Sequence, residues 1–100
     1  RSKRIVLEFS ASYSDDVEKV KNAIKKVILN HPLVLKDDEP YVKLVKHGDN
    51  GVFYTARCMV ETKDFWSVSR DLMEDVKIEF DKQKISIPFP QMDVRLKKED

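Results

Sequence analysis

Residues 4–10, RIVLEFS, set apolar Ile5, Leu7 and Phe9 against Val6, Glu8 and Ser10. This period-two pattern predicts a half-buried β-strand. The period then changes. Val17, Val20, Ile24, Val27 and Ile28 recur at helical spacing, and Lys19, Lys21, Lys25 and Lys26 occupy the other side. Ser14 or Asp15 is the expected cap of this helix, with Glu18 three places after Asp15. Its end is expected near Asn30, because Pro32 disfavours helical geometry at His31. PLVLKDDEP reads as a loop with an apolar anchor, YVKLVK as a short strand, and HGDNG as a hairpin connection whose Asn50-Gly51 tolerates positive φ. VFYTARCMVE is the longest strand, with Val52, Tyr54, Ala56, Cys58 and Val60 toward the core. A second helix starts near Thr62 or Asp64 and runs to about Gln83, on a stripe of Phe65, Val68, Leu72, Val76 and Phe80. Trp66 and Met73 flank that stripe, and Trp66 is expected to be partly buried against the sheet or a neighbouring loop.

The order is β-α-β-β-α, each helix carrying one apolar stripe. It predicts an α+β class protein, a ferredoxin-like sandwich with two helices on one face of an open mixed sheet. That fold hosts enzymes, sensors, RNA binders and structural modules alike, so function must come from particular residues.

Downstream of the second helix the pattern is different. Pro88 and Pro90 lack N–H donors and fix φ, so Ile87, Pro88, Phe89 and Pro90 form a stiff, extended exit. Gln91, Met92, Asp93, Val94, Arg95 and Leu96 then alternate apolar and polar, which is a strand with two unsatisfied edges. Either this strand folds back onto its own sheet, or it pairs with other copies of the chain. In a ring, each copy would pair with the next by one rotation, in parallel, and closure would remove every edge. The expected organisation is a ferredoxin-like unit over 1–90 and an assembly strand with a polar tail over 91–100.

Composition excludes more than it suggests. One hundred residues with 41% hydrophobic content support one core. Charged residues make up 37%, yet Lys and Asp/Glu are interleaved and the net charge is only +1, which argues against a nucleic-acid footprint, and no nucleic-acid partner is expected. Cys58 is the only cysteine and reads as a small hydrophobe within an apolar run. Two glycines provide no phosphate cradle, and His31 and His47 stand in separate loops without metal-ligand spacing. The acidic pair Asp15-Asp16 makes cap sense, and Asp37, Asp38 and Glu39 make loop sense. No catalytic, metal or cofactor residues are assigned, and no enzyme activity is expected. No apolar run approaches the roughly 20 residues needed to cross a bilayer. The chain opens on Arg1 without a signal-peptide pattern, as a fragment would.

Residues 76–94, VKIEFDKQKISIPFPQMDV, closely resemble the end of MscS-type small-conductance mechanosensitive channels, where I-x-I/F-P-[FY]-P-Q-x-D-V follows a helix. VETKDFWSVSRDLMEDVK resembles that family's aromatic-Trp entry to its last helix, SYSDDVEKV its helix start, and VLKDDEPYVKL its P-x-V-L-K-D-P loop. The family often has a small residue or Gly after that helix, whereas this chain has Lys82-Gln83-Lys84. The resemblance implies the C-terminal α/β domain of a cytoplasmic vestibule, on the cytoplasmic side of a cell (inner) membrane. It further implies a homo-heptamer closed by a small terminal barrel, permeating ions and small solutes as partners, and membrane contact only through upstream helices. The loop at Asp37, Asp38 and Glu39 would then border an opening of the cage. Two other readings remain open, a free-standing ferredoxin-like regulatory or ligand-binding domain and the cytoplasmic domain of a cation-efflux transporter. The first wants a polar-lined pocket or a duplicated unit, and the second wants His/Asp clusters.

Overall fold

Strand β4 (Gly51–Glu61) organises the molecule, which is a computed structural model describing residues 1–37 and 39–86. Its partners are β1 (Ser2–Ser12), β2 (Val34–Leu35) and β3 (Tyr41–His47); the helices are α1 (Val17–Asn30) and α2 (Phe65–Gln83), the latter entered through a 3₁₀ turn, Thr62–Asp64. β1 pairs with one edge of β4 from Ser2 opposite Glu61 to Ser12 opposite Gly51. The other edge is shared: β3 pairs from Tyr41 opposite Arg57 to His47 opposite Val52, and β2 sits beyond it, Val34 opposite Val60 and Leu35 opposite Met59. The register slips between Leu44 and Lys46, and Val45 stands 49% exposed at this bulge.

Every pairing among the described residues is antiparallel, which corrects the expected mixed sheet. The reason is topological. The hairpin makes β3 and β4 antiparallel, and the crossover through α1 places β1 and β3 on opposite sides of β4, so these two like-directed strands never touch. The apolar face of β4 is as expected: Val52, Tyr54, Ala56, Cys58 and Val60 are all buried. Opposite them pack Val20, Ala23, Ile24, Val27 and Ile28 of α1 and Val68, Leu72, Val76 and Phe80 of α2.

Local chemistry moves several boundaries. The cap of α1 is Asp16, whose carboxylate accepts the Lys19 N–H at 3.0 Å. Asp15 is engaged elsewhere, accepting the Ser86 N–H at 3.0 Å. His31 takes an extended ψ of 125°, ending α1 as the following proline requires. The stretch expected to be only loop contains β2. The hairpin turn contains no positive φ at Asn50 or Gly51; its glycine requirement lies at Gly48, where a Cβ would meet the Phe53 ring at 2.6 Å. Trp66, expected to be partly buried, is 69% exposed. Phe65 takes the inward position instead, with Lys3 Nζ 4.3 Å from its ring centroid. A residue one step along a helix points about 100° away.

α2 ends without glycine by putting Lys84 itself into the left-handed region, φ 61° and ψ 36°. The Lys84 N–H reaches Asp81 O and the Ile85 N–H reaches Phe80 O at 2.8 Å, satisfying carbonyls of the last turn. Ile85 and Phe80 are both buried, the apolar contact such a terminus favours. No described helix is long and apolar enough to cross a membrane.

Candidate functional site: the groove beside the acidic loop

Because β2 and β3 occupy successive parts of one edge of β4, the chain between them must swing outward. This connection carries Asp37, Glu39 and Pro40; Asp38 lies outside the described residues. Lys36 pins its start, donating to the carbonyls of His31 at 2.8 Å and Val34 at 2.9 Å. Beneath the connection lies a groove of about 430 Å³, lined by residues of β1, β2 and β4, by Tyr41 and by Leu29 of α1. Its walls include Leu35, Pro40 and Met59, and its charged lining includes Arg4, Arg57, Asp37 and Glu39. Strand alternation explains the arginines, which sit out of phase with the buried residues Ile5, Ala56 and Cys58.

The Arg57 guanidinium lies 4.3 Å from the centroid of Tyr41, its cross-strand partner. Arg4 stands opposite Met59, so the two arginines are diagonal neighbours across the β1–β4 pair. Neither is within ion-pair distance of a carboxylate among the described residues. The sequence reading placed Asp37 and Glu39 at an opening and missed Arg4, Tyr41 and Arg57. These come from three strands, and only the register brings them together.

The terminal residues assigned to assembly, Gln91, Met92, Asp93, Val94, Arg95 and Leu96, lie outside the described residues, as does the exit motif Ile87, Pro88, Phe89 and Pro90. The chain reaches that point at Ser86, whose carbonyl accepts the Ser12 N–H at 2.9 Å. Its approach is thus fixed beside the end of β1 and the start of α1.

Two polar links join the helices. His31 is 8% exposed; its Nδ1 accepts the Leu33 N–H at 3.1 Å, so Nε2 carries the proton donated to Asp71 at 2.8 Å. Glu79, 6% exposed, accepts from Gln83 and, at 3.1 Å, from Lys26. Those hydrogen bonds, the Gln83 bond foremost, hold the Glu79 carboxyl below the ordinary range against the opposing effect of burial. Burial pushes the Cys58 thiol up, away from nucleophilic thiolate. No cluster of three or more His, Cys, Asp or Glu is placed to hold a metal among the described residues.

Comparison with known proteins points one way. The family profile described as "Mechanosensitive ion channel MscS, C-terminal" matches residues 5–87. An MscS family protein of Archaeoglobus fulgidus is 39% identical over 79 residues, covering 79% of this chain and 28% of the relative. The small-conductance mechanosensitive channel of Edwardsiella ictaluri is 32% identical over 94 residues, covering 94% of this chain and 33% of that protein. The crystal structure of Helicobacter pylori MscS in its closed state superimposes with a TM-score of 0.83 at 27% identity, over 88% of this chain and 35% of that one. Arabidopsis thaliana MSL1 A320V shares the fold, with a TM-score of 0.75 at 15% identity. The chain thus spans about a third of the length of the relatives it matches.

Proposed function

The chain belongs to the MscS mechanosensitive ion channel family, and from that membership we propose that it is the cytoplasmic vestibule domain of such a channel. Its work is mechanical and electrostatic, not enzymatic. It holds subunits together and forms part of a cage that sieves ions and small solutes beneath a tension-gated membrane pore. The observation that carries this reading is the match over residues 5–87, together with the 0.83 TM-score to H. pylori MscS. In the full protein the domain assembles with copies of itself, as a heptamer on the family's pattern, at the cytoplasmic side of the inner membrane. The 91–97 segment is its assembly strand, reached through the stiff 87–90 exit, and 1–90 is the folded unit that the strand anchors.

The cage discriminates weakly, because the surface interleaves charge with a net of only +1, whereas a strongly selective filter wants a ring of one sign. Asp37, Asp38 and Glu39 are its acidic contribution to a side opening. Asp37 and Glu39 are exposed on the connection between β2 and β3, as such a role requires. Replacing the three together by Asn, Asn and Gln in the full-length channel is expected to shift its cation–anion preference toward anions. Reversal potentials in excised patches read this directly, and an unchanged preference would remove the loop from the opening.

A further inference from the structure

Arg4 and Arg57 line one groove and have no carboxylate partner among the described residues, in a chain that carries 18 acidic side chains. We propose that this groove binds a phosphate monoester of a small hydroxylated body, a sugar phosphate, with the two guanidiniums as its anion receptor. The proposal stands independently of the channel reading.

Three features select the ligand. The first is the arrangement of the arginines. They are diagonal neighbours on one sheet face, close enough in register for both long side chains to turn toward one tetrahedral oxyanion when it binds. A carboxylate has two oxygens and is saturated by one fork, whereas a phosphate monoester has three terminal oxygens to share between two. The Tyr41 ring, 4.3 Å from the Arg57 guanidinium, packs against that fork and restrains it. The second is the acidic rim. Asp37 and Glu39 line the same groove and make no ion pair among the described residues. They repel a second phosphate and accept from hydroxyl groups, so a singly phosphorylated, hydroxyl-bearing body satisfies both ends. The third is size. About 430 Å³, walled by Leu35, Pro40 and Met59, is in the range of small-molecule sites and leaves apolar surface for a carbon skeleton.

Calorimetric titration of the chain with ribose 5-phosphate, at constant ionic strength, tests the assignment. Inorganic phosphate and ribose are the comparison probes. Saturable binding of ribose 5-phosphate is expected, with Arg4→Gln and Arg57→Gln each weakening it about tenfold, the loss of one charge-assisted contact. Glu39→Gln should weaken ribose 5-phosphate and leave inorganic phosphate unchanged or tighter. All three side chains are exposed, so the variants should keep the wild-type melting temperature. The proposal is overturned by absence of saturable ribose 5-phosphate binding, or by affinity indifferent to both arginine variants. It is equally overturned if inorganic phosphate binds as tightly as the ester, since the rim then selects nothing.

Discussion

Tyr54 is wholly buried, and its hydroxyl has no hydrogen-bond partner among the described residues. Burial, and then the negative charges of Asp15 and Asp16, raise the phenol's pKa, so the group stays a neutral O–H throughout the working pH range. A buried donor without an acceptor costs about 1–3 kcal/mol. Tyr54→Phe keeps the ring and removes the donor, and is expected to hold or raise stability, by up to about 2 kcal/mol. Urea unfolding checks this, and a clear loss would mean the hydroxyl has a partner that matters. Lys84 presents the same kind of local cost in the backbone. An L-residue in the left-handed region is disfavoured by about 1–2 kcal/mol, and glycine escapes that penalty. Lys84→Gly is therefore expected to move the urea midpoint upward, equivalent to a gain of about 1 kcal/mol, with the last turn of α2 intact by circular dichroism.

At the scale of elements, the helices are held to the sheet by apolar stripes and to each other by the His31–Asp71 and Lys26–Glu79 links. Leu72, 1% exposed, lies midway along the α2 stripe. Leu72→Ala is expected to cost about 2–5 kcal/mol, read by thermal or urea unfolding. A variant melting within a degree of the parent would mean that α2 packs by some other face. The stripes of both helices and the inward face of β4 were legible in the sequence because each packs on one side only, which is what periodicity detects. Elements with other causes were not. β2 has two residues and cannot display a period. Trp66 was misread because bulk suggests burial, while the phase set by Val68 and Leu72 turns it outward. The Asp16 cap was displaced from Asp15 by a contact to Ser86, seventy-one residues away, which local pattern cannot report. The same holds for the groove, whose Arg4 and Arg57 meet only through strand register.

For the whole molecule, the family was legible in the motif IPFPQMDV and its surroundings, a signal of specific residues more than of periodicity. The fold agrees, and the chain spans about a third of the length of those relatives. Ser86, the last described residue, is tied to Ser12 and Asp15, which fixes its place on the folded unit. The central claim is that the 91–97 segment joins copies of this domain into a ring. The most direct measurement is the assembled mass, by native mass spectrometry in detergent, of the full-length channel and of the same protein ending at Pro90. The account predicts a single closed oligomer for the intact protein, and smaller or heterogeneous species for the truncated one, with the domain's own fold unchanged. Truncated protein that assembles to the same number of subunits with the same stability would contradict it.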